Sequence, residues 1–218
     1  MVNMQRTDIR GLLFDMNGLF RHWRNAGARE GEQLAGLPAG TFDVYAYQHP
    51  MYRLAKVGVI SDQEWSDNVE RRLVGDFGPK ALKAIPPWRL DRGETDAVML
   101  DLLAQAQRWV PVGVLSNTTD AFRSDLEHHG IAGLFDFILP SAELGVDKPS
   151  PLAYQAAAER MGIEPQHLYY CDDEPTFVAG ARHAGLQAEL FTGAAELAAS
   201  LNRLGITVKM KEPCSDRP

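Results

Sequence analysis

Ile9-Arg10-Gly11-Leu12-Leu13-Phe14-Asp15-Met16-Asn17-Gly18-Leu19 is the stretch on which the fold turns. An apolar run drives into an acidic residue and meets a glycine three residues later. A short, continuous apolar run bounded by turn residues suits a strand buried on both faces of a parallel sheet. A carboxylate has no packing role at the end of such a strand. It belongs at the carboxyl edge of the sheet, where open α/β folds bind ligands. Asp15 is therefore a candidate nucleophile or metal ligand, and Asn17 beside it is the oddity of the segment.

Working outward, the pattern from Asp96 onward alternates between helix and strand. Apolar spacing predicts helices over 96–107, 120–129, 175–184 and 194–204, and strands over 110–115, 135–139, 168–171 and 187–191. Ser150-Pro151 reads as an N-cap followed by proline at the first helical position, and Gly130, Gly162 and Gly185 as helix ends. Strands alternating with helices imply βαβ units and an α/β fold with a doubly wound, mainly parallel sheet. Residues 20–93 break the rhythm. Residues 21–40 are polar and rich in Gly and Ala, while 45–56, 62–74 and 79–84 look helical. Ser61 with Glu64 resembles a capping box. The expected organisation is an α/β core of residues 1–19 and 94–208, a small helical cap of residues 20–93, and a frayed tail over 209–218.

The chain has 218 residues, 45% hydrophobic and 23% charged, the composition of an ordinary soluble protein able to build a sizeable core. Its formal net charge of -7 disfavours nucleic acid as a partner. No apolar stretch approaches a membrane span, and the start shows no signal pattern. Cys171 and Cys214 form neither a metal spacing nor a disulfide framework, which suits a reducing, cytoplasmic setting. A monomer or homodimer is expected.

Four sites carry chemistry, and each follows a predicted strand: Asp15; Ser116 with Asn117; Lys148; and Asp172 with Asp173. Loops after the strands of a doubly wound sheet meet at one edge, so the four can converge. Three carboxylates alone would repel one another. A hard divalent cation resolves this, and Mg²⁺ takes one or two carboxylates plus water and phosphate oxygens. Ser116 and Asn117 can hold phosphate oxygens, Lys148 can neutralise charge, and an aspartate can attack phosphorus. The chemistry expected is metal-assisted phosphoryl transfer. Read singly, Asp15 would be a capping carboxylate, Ser116-Asn117 a helix cap, Lys148 a solvated lysine and Asp172-Asp173 an acidic helix start; their combination favours the functional reading.

Phe14-Asp15-Met16-Asn17-Gly18, Leu115-Ser116-Asn117-Thr118, Lys148-Pro149-Ser150-Pro151 with Tyr154, and Cys171-Asp172-Asp173-Glu174-Pro175 follow one another in order. With these four motifs the chain resembles the haloacid dehalogenase superfamily of hydrolases, in the subfamily with a helical cap inserted after the first motif. The resemblance implies Asp15 as nucleophile and Mg²⁺ ligand, with the backbone carbonyl of Asn17 and Asp173 also on the metal. Asp172 would orient it or bind through water. It implies Ser116 on the transferring phosphoryl group and Lys148 bridging nucleophile and phosphate. The implied function is a Mg²⁺-dependent phosphatase acting on a small phosphorylated metabolite.

Asn17 departs from that pattern. Phosphatases of the family carry a second aspartate there, which protonates the leaving oxygen and then activates water. An amide does neither, and such help is typically worth about 10²–10⁴-fold. Three explanations stand: a designed Asp-to-Asn trap, a natural enzyme with a surrogate such as His22, or a non-hydrolytic binding protein. A dehalogenase-type enzyme attacking carbon also lacks the second aspartate, but those relatives lose the acidic pair that Asp172-Asp173 retains here.

Overall fold

The computed structural model describes residues 8–210. In chain order its regular elements are β1 (Gly11–Phe14), β2 (Arg21–His22), α1 (Ala26–Ala35), α2 (Pro50–Lys56), α3 (Asp62–Phe77), α4 (Ile85–Leu90), β3 (Glu94–Thr95), α5 (Ala97–Ala106), β4 (Val112–Ser116), α6 (Phe122–His128), β5 (Phe137–Pro140), α7 (Ser141–Leu144), α8 (Pro151–Met161), β6 (Leu168–Asp172), α9 (Pro175–His183), β7 (Gln187–Leu190) and α10 (Ala194–Arg203). Five strands form one parallel sheet in the order β5-β4-β1-β6-β7. The α/β fold expected from the alternation is the one found, with the first strand at the centre. Leu13 sits in register with Gly113 on one side and Tyr170 on the other.

Alternation along β1 sends Leu12 and Phe14 to one face and Leu13 to the other. The first face is covered by Met99, Leu102 and Leu103 of α5 and by Leu197 and Leu201 of α10. The second is covered by Tyr154 and Ala157 of α8 and by Val178 and Ala181 of α9. Both faces are dry, which is why the strands read as unbroken apolar runs rather than as alternating ones.

Between β1 and α5 the chain leaves the sheet and builds a separate apolar cluster around Phe42, Trp65, Val69, Leu73 and Trp88. The Phe42 and Trp88 rings stack at 4.8 Å. Ser61 and Glu64 form the capping box that opens α3. The two ends of the excursion are tied together, because β2 and β3 pair antiparallel, Arg21 opposite Thr95 and His22 opposite Glu94.

Several local expectations differ from the structure. The helix expected over 45–56 is two pieces, a π-helical turn at Asp43–Tyr47 and then α2. Pro50 forces the break: it pushes His49 into an extended conformation, φ -77° and ψ 140°. The polar 21–40 stretch contains α1, whose glycines pack against backbone; a Cβ on Gly31 would lie 2.4 Å from the Ala84 carbonyl. Residues 79–84 are a 3₁₀ helix. Ser150 precedes α8 without a side-chain cap bond; its backbone carbonyl accepts from Ala153 N–H instead. Lys209, expected to begin a tail, exchanges two hydrogen bonds of 2.9 Å with the Gln105 side chain. Cys171 is a buried free thiol, while Cys214 and the rest of 211–218 lie outside the described residues. No helix among the described residues is long and apolar enough to cross a membrane.

Leu12 is fully buried at the centre of the larger cluster. Leu12→Ala is expected to lower unfolding free energy by about 2–5 kcal/mol, the range for a large-to-small core truncation, read as a fall in the urea midpoint at unchanged slope.

Candidate active site

β1, β4 and β6 end side by side, and the residue at each end is polar. Asp15 follows β1 directly, Ser116 closes β4, and Asp172 closes β6 with Asp173 next to it. Lys148 arrives from the turn after α7. Its ammonium is buried and donates to Asp15 Oδ1 at 2.7 Å, to Asp172 Oδ2 at 2.7 Å and to the Tyr170 hydroxyl at 3.0 Å. Tyr170 in turn donates to Asp172 Oδ2, and Glu174 N–H donates to Asp172 Oδ1 at 2.9 Å. Both oxygens of Asp172 are therefore engaged.

Asn117 acts on the lysine. Its amide nitrogen donates to the Lys148 carbonyl and its oxygen accepts from Lys148 N–H, both at 2.8 Å. Its side chain is thus a two-pronged clamp on the Lys148 backbone, while the residue still lines the cavity at Asp15. The structure brings Asp15, Lys148, Asp172, Asp173 and Ser116 to one strand edge, with Asn117 beside them. Ser116 Oγ is buried and has no hydrogen-bond partner among the described residues. An orphan hydroxyl at this point is a donor waiting for an acceptor.

The electrostatics are those of a site short of positive charge. Burial pushes the Asp15 carboxyl up to about 6, against the pull of Lys148 and with a further push from Asp172. Asp173, exposed, is also raised by partial desolvation and by Asp172. Asp15, Asp172 and Asp173 each offer an oxygen, all within 4.8 Å of one another. Such an all-oxygen set fits a hard cation such as Mg²⁺ rather than a soft one. Gly18 keeps room for this arrangement: a Cβ there would lie 1.9 Å from Asp173 Oδ2, and its φ of +83° disfavours a side chain anyway.

Asn17 Oδ1 accepts from Arg21 Nε at 3.0 Å and from Trp23 Nε1 at 3.1 Å. The Arg21 guanidinium is almost completely buried, pairs with Asp125 at 3.2 Å, and lies 4.8 Å from the Trp23 ring centre. Sequence reasoning gave no role to Arg21 or Tyr170. An isolated arginine after a glycine turn carries no spacing signal, and Tyr170 reads as one more apolar position of a buried strand. His22, a candidate proton carrier by proximity in sequence, has its ring nitrogen 3.4 Å from Asp96.

Two cavities meet here. The smaller, about 410 Å³, is lined by Asp15, Ser116, Lys148, Asp173 and Phe177. The larger, about 500 Å³, lies under the helical excursion and is lined by Tyr47, Tyr52, Trp65, Trp88, Arg89 and Thr119, among others. Asn17, Trp23 and Asn117 line both.

Comparison with known proteins bears on this geometry. A family model described as haloacid dehalogenase-like hydrolase matches residues 9–185. The phosphatase MT3486 of Mycobacterium tuberculosis is 35% identical over 115 residues, which are 45% of this chain and 53% of that protein. The (S)-2-haloacid dehalogenase 2 of a Pseudomonas species is 33% identical over 79 residues, 36% of this chain and 34% of that one. The chain thus spans about half the length of the first relative and a third of the second. Among solved structures, a wild-type HAD-family enzyme from Bacteroides thetaiotaomicron, in complex with magnesium and inorganic phosphate, superposes with a TM-score of 0.67 at 19% identity, covering 95% of this chain and 98% of that one. At that identity the likeness is one of fold.

Removing the ammonium leaves two buried carboxylates facing each other. Lys148→Met is expected to cost about 3–5 kcal/mol of stability at neutral pH, as for a buried ion pair that loses one partner. Asp15, already raised in the intact site, moves further up in this variant, so the folded state binds a proton that the unfolded chain releases. The deficit is then largest well above the folded pKa and shrinks as pH falls from about 8 to about 5, measured by urea denaturation across that range.

Proposed function

The chain belongs to the haloacid dehalogenase-like hydrolases, and on that premise we propose that it is a Mg²⁺-dependent phosphatase working through an aspartyl-phosphate on Asp15. The observation that carries this reading is the triple of carboxylates within 4.8 Å with the Lys148 ammonium bonded to two of them. A carbon-attacking dehalogenase needs no metal and gives such an acidic pair no work. The magnesium and phosphate in the Bacteroides enzyme and the phosphatase among the sequence relatives support the same choice.

In this proposal Asp15, Asp173 and the Asn17 carbonyl would hold Mg²⁺, with Asp172 alongside. When bound, the ion supplies charge neutralisation that keeps Asp15 ionised and lets an anionic phosphate approach it. The remaining work falls to the chain. Asp15 attacks phosphorus in line and the bond to the leaving oxygen breaks. Ser116 Oγ, free of other partners, donates to a phosphoryl oxygen. Lys148 balances the charge on Asp15 and the phosphoryl group. Water then attacks phosphorus and restores Asp15. Residues 20–93 would act as a cap over this edge and residues 1–19 with 94–208 as the catalytic core; lids of this kind exclude water from the chemistry. A reducing, cytoplasmic compartment suits the free Cys171.

Asn17 limits the rate, because the amide neither protonates a leaving oxygen nor activates water. Its neighbours suit an aspartate: Arg21 and Trp23 would donate the same two hydrogen bonds to a carboxylate and favour its ionised, water-activating form. Asn17→Asp is expected to raise steady-state hydrolysis across a panel of phosphate monoesters by about 10²–10⁴-fold, and Asp15→Asn to abolish it in either background. Equal inactivity of the parent chain and Asn17→Asp would sink the reading. Independently of turnover, Mg²⁺ with a phosphate mimic is expected to raise the thermal midpoint, and Asp173→Asn to remove that shift.

A further inference from the structure

The donors that hold Asn17 also decide which end of its amide is free. An arginine Nε–H and an indole N–H can only donate, so both hydrogen bonds go to Oδ1. The Nδ2 amino group is left as the end open to a ligand. It can stabilise an oxyanion by a hydrogen bond and has no proton to give away. A leaving group must then depart from phosphorus as an anion. A phenol, with pKa about 10, does so far more readily than an aliphatic alcohol, whose hydroxyl is a much weaker acid.

The second observation is independent of that chemistry. The cavity of about 500 Å³ opens at Asn17, Trp23 and Asn117, residues that also bound the cavity at Asp15. Its size is that of a site for a drug-sized organic group. Tyr47, Tyr52, Trp65 and Trp88 give it aromatic walls, with Tyr52 and Trp65 ring centres 4.8 Å apart. Its three arginines are all paired, Arg89 with Asp62, and Arg21 and Arg92 with Asp125, while Asp43 and Asp91 have no ion-pair partner among the described residues, so the lining disfavours a second anion. The Tyr52 hydroxyl has no hydrogen-bond partner among the described residues and is available to a ring substituent. A flat, uncharged, polarisable group fits such walls better than a short polyol or a second anion.

We propose that the substrate is an aryl phosphate, the monoester of a phenolic hydroxyl, with its phosphate at Asp15 and its ring in the aromatic chamber. This rests on the phosphatase reading above. The Asp15 oxygen forms a bond to phosphorus, and the bond from phosphorus to the aryl oxygen breaks. The electron pair leaves with the aryloxide, which accepts a hydrogen bond from Asn17 Nδ2–H and takes its proton from solvent. Water later attacks phosphorus, giving inorganic phosphate, free Asp15 and a proton released to solvent.

The test follows phosphoryl-enzyme formation by intact mass, with Mg²⁺ and stoichiometric protein, from phenyl phosphate, glycerol phosphate and acetyl phosphate. Phenyl phosphate is expected to phosphorylate the chain at least ~10²-fold faster than glycerol phosphate, the scale of the missing acid. Ala121, at the chamber wall, provides a steric control. Ala121→Trp is expected to slow phenyl phosphate by at least ~10-fold, as pocket obstruction does, and to leave acetyl phosphate, a small substrate with a good leaving group, unchanged. Phenylphosphonate is expected to quench tryptophan fluorescence at lower concentration than methylphosphonate, a readout that needs neither turnover nor the variant. Equal rates on phenyl and glycerol phosphate, equal slowing of acetyl phosphate in Ala121→Trp, or equal binding of the two phosphonates each overturn the proposal while the phosphatase reading stands. Absence of phosphoryl-enzyme from acetyl phosphate, in both the parent chain and Asn17→Asp, overturns that reading as well.

Discussion

One ammonium holds the strand edge together. Lys148 bonds the carboxylates after β1 and at the end of β6, and Asn117 just past β4 grips its backbone. Three strands and the turn after α7 are therefore tied together through Lys148, by its ammonium and by the Asn117 clamp on its backbone. Two buried carboxylates this close would otherwise drive each other toward the neutral form. The ion pair is thus structural and chemical at once: it makes the acidic edge tolerable to the fold and sets the charge that a phosphate would meet.

A second buried cation performs the equivalent task one layer out. Arg21 reaches Asn17 on the core side and Asp125 on α6, and its backbone sits in the short β2–β3 ribbon. The guanidinium connects the first turn after β1, a core helix and the root of the helical excursion. The two cavities meet at the same point, so the geometry of the space at Asp15 and that of the aromatic chamber are set by shared residues.

The fold was legible because its strands are buried on both faces. Leu12-Leu13-Phe14 and Val112-Gly113-Val114-Leu115 permit little else, and the polar residue after each run marks the functional edge. Asp15, Ser116, Asp172 and Asp173 stand out for that reason, and Lys148 by its Lys-Pro-Ser-Pro context ahead of α8. What stayed hidden depends on contacts across the chain. The helix over Ala26–Ala35 was hidden because its buried stripe is made of small residues, Gly27, Ala28, Gly31 and Ala35, which let α4 and the 3₁₀ turn approach closely, as Gly27 and Gly31 show against the Pro87 and Ala84 carbonyls. The role of Asn117 is invisible in Ser-Asn-Thr, since its partner lies 31 residues on. Arg21 is hidden for the same reason, 104 residues from Asp125.

The two-residue ribbon has a meaning beyond pairing. Because Arg21 lies opposite Thr95, some seventy residues of chain depart and return through a gap no wider than one strand spacing, about 4.8 Å. To the sheet, that excursion is topologically equivalent to a tight turn. Its length, helices and aromatic lining can change without altering the path of the sheet that carries Asp15 and Lys148. On the phosphatase reading proposed above, the sheet edge would keep the reaction and the excursion would be free to choose what reacts.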